Sequence, residues 1–267
     1  MLKLLLILLI SIETLAAIHE TPTLNSCLSL AEAETTLLSP AEVVYVFDID
    51  NTALKLKNNF GSVQWFQWQR KLIQDNSVER ITDTIDELLA IQSSIYQLSS
   101  TSTPESTTAV QIAHLQELGH PVIFHTSRNL DTRESTAREL KQNGLIPLTN
   151  TLGPANGYAG VITYQNAPSP QRPVSFQDGV YMSAGQDKGV WLNFLFEKLQ
   201  YKPKHIVFVD DESKNLVNVE RALQNVTPGT LCRYGQVDPV VQAFNASNKS
   251  TETAQWHLLE SLLKQLK

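Results

Sequence analysis

The segment VVYVFDIDNTAL, Val43 to Leu54, ends an apolar run in two carboxylates one residue apart, Asp48 and Asp50. Unpaired charges avoid the edge of a core, so acids placed there serve an ion, a partner charge or a reaction. While the backbone stays extended, Asp48 and Asp50 leave on the same side. A calcium loop of the EF-hand kind would need Gly at its sixth position and Glu at its twelfth, where this chain has Ala53 and Asn59. Three more short stretches carry reactive residue types. His125-Thr126-Ser127-Arg128 offers hydroxyls and free backbone N–H groups that can hold a phosphate oxygen or simply cap a helix. Asp210-Asp211-Glu212, with Asn215 beyond, offers a cation site or a helix start that favours acids. SAGQDKGVWLNFL places Lys188 at a helix start, where a lysine taken alone is a solvated surface residue.

Each stretch follows an element able to position it. Val43 to Phe47, Pro121 to His125, Gly160 to Tyr164 and His205 to Val209 are short apolar runs rich in β-branched and aromatic residues, as buried parallel strands are. Helical patterns lie before, between and after them, at Leu24 to Leu38, Pro104 to Leu118, Asp131 to Asn143, Asp187 to Leu199 and Ser213 to Leu223. Alternating strands and helices predict an α/β fold with a mainly parallel sheet, and ligands of such sheets sit beyond the carboxyl ends of the strands. Two segments interrupt the rhythm. Residues 55–103 carry their own helices, over VQWFQWQRKLIQ and over Val78 to Leu98, and predict a small helical cap inserted after the first core strand. Gly144 to Gly185 is rich in Gly, Pro and Asn and reads as loops and hairpins. After Gly235 the chain turns polar before a closing amphipathic helix from about Thr253 to Leu266.

The composition is that of a globular protein, with 42% hydrophobic and 18% charged residues, and a net charge of -6 argues against nucleic acid or an anionic membrane as partner. At the N-terminus one lysine precedes a Leu/Ile run from Leu4 to Ile12 and the small pair Ala16 and Ala17. The run is too short to span a bilayer and reads as a cleavable signal over residues 1–17, which predicts an exported, periplasmic or secreted protein with no stable membrane partner after cleavage; Leu15 or Thr14, where a small residue is preferred before the cleavage point, leaves an uncleaved anchor as the alternative. Export would place the only two cysteines, Cys27 and Cys232, where a disulfide can form, and spacing leaves open a pair or two buried thiols. Two isolated cysteines and scattered histidines argue against a zinc site.

Taken together, Asp48-Ile49-Asp50-Asn51-Thr52, Thr126, Lys188 and Asp210-Asp211 with Asn215 resemble, in order and in strand context, the four motifs of the haloacid dehalogenase superfamily. The resemblance covers about Val43 to Tyr234. FDIDNT, QWFQWQ, HTSR and GQDKG, with the signal, further resemble a little-characterised group of secreted bacterial proteins in that superfamily, distantly related to its secreted acid phosphatases. The resemblance implies a Rossmann-like three-layer sandwich, with a core of residues 18–54 and 104–267 and the cap at 55–103.

It also implies magnesium-dependent hydrolysis of a phosphomonoester. Asp48 would attack phosphorus to form an aspartyl-phosphate, and Asp50 would act as general acid and then general base. Thr126 and the N–H of Ser127 would hold phosphate oxygens, Lys188 would offset the crowded charge, and Asn51 and Thr52 would shape the loop. Magnesium would be held by Asp48, the carbonyl of Asp50 and Asp211, with Asp210 behind or bound through water. In that superfamily an acid at the position of Asp50 marks phosphatases and some phosphotransferases, while dehalogenases lack it and transport ATPases carry Thr. Asn215 stands where many members have Asp. Arg128 would either touch substrate or pair with nearby acids.

Trp65, Phe66 and Trp68 lie in the insertion, where Trp65 would stack on a small phosphorylated substrate or pack the cap onto the core. Two alternatives stay beside hydrolysis: a phosphotransferase using the same residues, and a secreted non-catalytic binding or host-interaction protein on the same scaffold.

Overall fold

The structure, a computed structural model, describes residues 17–145, 152–158, 161–164, 172–224 and 226–265. The apolar run expected to form the signal lies outside the described residues. In chain order the elements are β1 (Ala17–Thr21), α1 (Leu24–Thr35), β2 (Val43–Phe47), β3 (Lys55–Leu56), α2 (Val63–Gln74), α3 (Ile85–Leu98), β4 (Thr101–Ser102), α4 (Thr108–Glu117), β5 (Val122–Thr126) and α5 (Arg133–Gln142). There follow β6 (Val161–Tyr164), β7 (Val174–Gln177), β8 (Val180–Met182), α6 (Lys188–Leu199), β9 (His205–Asp210), α7 (Ser213–Leu223), β10 (Gly229–Tyr234), α8 (Asp238–Ala246) and α9 (Ser250–Gln265).

Among the described residues an eight-stranded sheet runs in the order β1-β10-β9-β2-β5-β8-β7-β6. It is parallel from β1 through β8 and antiparallel at β7 and β6. The alternation of side chains along β2 splits the core into two layers. Val43, Tyr45 and Phe47 pack with Leu24 of α1, Ile112 of α4 and Leu140 of α5, while Val44 and Val46 pack with Trp191 and Leu195 of α6 and Leu216 of α7. The fold is therefore a three-layer α/β sandwich with a mainly parallel sheet. All five residues of β2 are buried, as a central strand covered on both faces requires.

Several expectations need correction. Gly160 to Tyr164 was expected as a member of the parallel set, but Val161–Tyr164 forms the antiparallel edge, and the place beside β5 is taken by the three-residue β8. A strand so short leaves no run to recognise. β1 and β10, AIHET and GTLCRY, carry His, Glu, Thr and Arg and so lack a continuous apolar run; they form one edge of the sheet. The helix expected from Val78 begins at Ile85, because Thr84 caps it by accepting from the Glu87 N–H at 3.2 Å. The polar stretch after Gly235 contains α8, whose Phe244 is buried.

The inserted segment is closed at its neck by β3 and β4, which pair antiparallel with Lys55 opposite Ser102. Its helices share a small hydrophobic cluster with the C-terminal helices: Trp65, Leu88 and Ile95 pack on Phe244, with Leu259 alongside. Cys27 and Cys232 form a disulfide across 205 residues, tying α1 to β10. Of the two arrangements the sequence left open, the fold has the pair. Among the described residues no helix is long and apolar enough to cross a membrane.

Candidate active site

Three adjacent strands, β9, β2 and β5, end side by side and carry Asp210, Asp48 and Thr126 at their carboxyl ends. The Asp48 N–H donates to the Val209 carbonyl at 2.8 Å, so the first acid is fixed to its neighbour strand before the chain turns away. The turn then doubles back, with the Ala53 N–H on the Asp48 carbonyl at 3.2 Å and the Leu54 N–H on that of Ile49 at 2.8 Å. Asn51 takes a left-handed φ of 63° there, a conformation Asn tolerates better than most residues.

Lys188 arrives from the other side of the sheet. Asp187 caps α6 by accepting from the Val190 N–H at 3.0 Å, and Gly189 lets α6 press against α7. A Cβ at Gly189 would stand 2.2 Å from the Asn218 carbonyl oxygen. The Lys188 ammonium, fully buried, donates to Asp48 and, at 2.7 Å, to Asp210. Burial alone would lower its pKa, but Asp210 and Asp48 outweigh burial and hold it above the ordinary value. Burial raises the Asp48 carboxyl, and the charges of Asp210 and Asp50 add to this against the pull of Lys188.

Asp210 and Asp211 differ in what they have left to offer. Both oxygens of Asp210 are occupied, one by Lys188 and both by the Asn215 amide at 3.0 and 3.1 Å, and the Glu212 N–H adds a further bond at 2.9 Å. Asp211 is half-buried and, among the described residues, its carboxylate accepts from the Asn51 amide alone, at 3.2 Å, while its N–H donates to the Thr52 hydroxyl at 3.1 Å. Its carboxyl is pushed well up by burial and by the charges of Asp48 and Asp210. Oxygens of Asp48, Asp210 and Asp211 all lie within 4.8 Å of one another, and these residues could hold a metal ion. An all-oxygen, carboxylate-rich donor set suits a hard cation such as magnesium, whose charge would relieve the crowding that raises Asp48 and Asp211.

A cavity of about 450 Å³ opens over these strand ends. Its floor includes Asp48, Asp50, Ser127 and Asp211, and α2 and α3 wall it with Phe66, Arg70, Leu89 and Tyr96. Trp65 does not stand in it: the ring is fully buried, 5.2 Å from that of Phe60, and belongs to the cluster shared with α8. Of the two readings left open for these aromatics, Trp65 has the packing one, and Phe66, its neighbour in the chain, lines the cavity. On a helix adjacent positions face about 100° apart, so spacing alone does not tell which aromatic faces the cavity. Thr126 is fully buried, and its hydroxyl accepts from the Arg128 N–H at 3.1 Å. Asn51 turns to Asp211 and does not line this cavity.

Sequence reasoning missed the surroundings of Asp50. Arg128 grips both Asp50 oxygens, and Tyr96 of α3 donates to one of them at 3.3 Å. Of the two roles left open for Arg128, pairing with acids is the one present. The signal in HTSR was an arginine next to a strand end; nothing local pointed to Tyr96.

No curated protein matches the chain. Among solved structures, it is similar to the haloacid dehalogenase-like family hydrolase SP0104 from Streptococcus pneumoniae, with 12% identity, a TM-score of 0.41, and coverage of 77% of this chain and 99% of that one. The model of the family described as "Protein of unknown function (DUF2608)" matches residues 21–267, nearly the whole chain, and the protein belongs to that family.

Proposed function

We propose that the protein is a magnesium-dependent phosphomonoester hydrolase of the haloacid dehalogenase type, acting through an aspartyl-phosphate on Asp48. The observation that carries this reading is the meeting of Asp48, Lys188, Asp210 and Asp211 from three separate chain segments at the carboxyl ends of β2 and β9, with the lysine buried between two of the acids.

Phosphoryl transfer asks of a protein mostly position and charge. Asp48 attacks phosphorus as the bond to the ester oxygen breaks; the bonding electrons stay on that oxygen, which takes a proton from Asp50. Water then gives a proton to Asp50 and attacks the phosphorus of the aspartyl-phosphate, releasing Asp48. Lys188 keeps its charge and offsets that of Asp48 and the phosphate. The Ser127 N–H, at the cavity floor, holds a phosphate oxygen, and the Thr126 hydroxyl, buried beneath it, fixes the turn through the Arg128 N–H. Asp48, the Asp50 carbonyl and Asp211 would hold magnesium, with Asp210 directing Lys188 from behind; bound there, the ion would supply positive charge against the phosphate oxygens. The helices of residues 55–103 act as the cap, and the cavity they wall suits small phosphorylated molecules. The residues expected as a signal, together with the disulfide, support export to an oxidising compartment. The narrower likeness to secreted relatives of acid phosphatases rests on the sequence motifs alone.

The test is release of phosphate from an aryl phosphate by the purified protein with magnesium or with EDTA. Magnesium-dependent release supports the reading; absence of release, with no binding of beryllium fluoride at Asp48, would overturn it. Product analysis with an added alcohol separates hydrolysis from phosphotransfer.

A further inference from the structure

Arg128 has no task in that mechanism, yet it is the most fully engaged cation of the cavity wall. Its Nε and Nη2 donate to the two Asp50 oxygens at 2.9 and 2.8 Å. Nη1 donates to Glu139 at 2.8 Å and to Thr136 at 2.9 Å, both on α5. Only 3% of the side chain is exposed, and Glu139 is fully buried. An arginine that grips phosphate presents a free fork of N–H donors. Four of the five donors of Arg128 are already bound within the protein. The face of the guanidinium is covered as well, since it lies 4.0 Å from the centroid of the Tyr96 ring. Tyr96 in turn donates to Asp50 Oδ1 at 3.3 Å and receives the Gln92 amide at 3.4 Å.

Asp50 is thus held from two directions, by an arginine locked to α5 and by a tyrosine of the inserted helix α3. Each carboxylate oxygen has two lone-pair directions, so this hold still leaves Asp50 room to serve the cavity that it lines.

We infer that Arg128 and Tyr96 are positioning residues that aim Asp50 at the leaving oxygen of the ester. The inference rests on the hydrolase reading of the same site. In the step concerned the P–O bond breaks, its electron pair goes to the alkyl oxygen, and the Asp50 proton moves to that oxygen. An alcohol is a poor leaving group without that proton, whereas a nitrophenol departs readily as its anion. Misaiming Asp50 therefore harms the two kinds of ester unequally, while leaving the phosphate-binding floor as it was.

The experiment compares wild type, Tyr96→Phe and Arg128→Lys on glycerol phosphate and nitrophenyl phosphate with magnesium, and measures inhibition by inorganic phosphate. For Tyr96→Phe, kcat on glycerol phosphate should fall about tenfold, below the full 10²–10⁴-fold range of acid–base catalysis because Asp50 itself remains. KM and phosphate inhibition should hold within about twofold, and the loss on the nitrophenyl ester should be several-fold smaller. Arg128→Lys, which keeps charge but loses the fork, should show the same pattern more strongly. Should it fold poorly, Tyr96→Phe decides alone. Equal losses on both esters, no loss, or weakened phosphate inhibition alongside a raised KM would overturn the inference while leaving the hydrolase standing. Wild type inert toward both esters would overturn this inference, and, with no beryllium fluoride bound at Asp48, the hydrolase reading as well.

Discussion

Lys188 donates to Asp210 at 2.7 Å in a pair whose two side chains are both fully buried. The same ammonium reaches Asp48, so Asp210 aims the lysine and the lysine faces the proposed nucleophile. A buried ion pair is weak evidence for stability, because desolvation offsets much of the attraction, but removing one partner strands the other. The arrangement is therefore better explained by function than by folding, and its parts can be separated by mutation.

Asp48→Asn should eliminate turnover, leaving at most a trace, while keeping the fold. The variant loses a crowded charge and retains an oxygen for Lys188, so its melting temperature should match or exceed that of wild type. Hydrolysis and circular dichroism on one preparation test this; substantial activity in the folded variant would end the covalent mechanism.

Asp211→Asn and Asp210→Asn should part company. Asp211 has lone pairs to offer a cation and a carboxyl pushed up by burial and its acidic neighbours. Its amide variant should gain a few degrees in metal-free melting temperature and lose the rise that magnesium gives wild type. Asp210→Asn should instead destabilise, by up to about 3 kcal/mol, because Lys188 loses its fully buried partner. Thermal melts with and without magnesium decide the matter, and a magnesium response lost only in Asp210→Asn would reverse the two roles.

Gly189→Ala places a Cβ where the Asn218 carbonyl stands and must push α6 from α7. We expect a loss of about 1–3 kcal/mol in urea unfolding, the usual size for overpacking, together with reduced kcat as Lys188 shifts. Unchanged stability would mean that the helices yield more easily than their packing implies.

The Cys27–Cys232 bond closes a loop spanning 205 residues, so it removes much freedom from the unfolded chain. Replacing both cysteines by Ala should cost about 2–5 kcal/mol. Reducing agent should lower the melting temperature of wild type and leave the double variant unmoved; two titratable thiols in the denatured, unreduced protein would show that no bond forms.

His125 is fully buried, and among the described residues neither ring nitrogen has a hydrogen-bond partner. Burial, with Lys188 nearby, pushes its pKa well below the ordinary 6.5. The unfolded chain takes up a proton below about pH 6.5 and the folded one does not, so the contribution of this histidine to stability should fall as pH drops through 6.5 toward 5, against the opposite contribution of the raised Asp48 and Asp211 carboxyls. One such histidine contributes a slope of up to about 1.4 kcal/mol per pH unit. His125→Phe should flatten the fall. Parallel stability curves for the two proteins between pH 7 and 5 would show that another group is responsible.

Much of the fold was legible because its signals are local. The apolar runs of β2, β5 and β9 and the helical stretches of α6 and α7 could be located from neighbouring residues alone. The edge strands β1 and β10 could not, since their polar residues hide a pairing that exists only between distant segments. The helix α8 escaped for a related reason: Phe244 is buried by the insertion, whose Trp65, Leu88 and Ile95 come far earlier in the chain.

The sequence by itself determined which acids, hydroxyls and lysine stand where strands end and helices begin, because a strand end is written in a few consecutive residues. Only the tertiary structure decided their partners. It joined Cys27 to Cys232, buried Trp65 and turned Phe66 to the cavity, filled both oxygens of Asp210 while leaving Asp211 lone pairs beyond its bond to Asn51, and set Arg128 and Tyr96 around Asp50. Those choices depend on which faces meet when sheet, insertion and C-terminal helices pack, and contacts between distant segments leave no period or spacing in the chain.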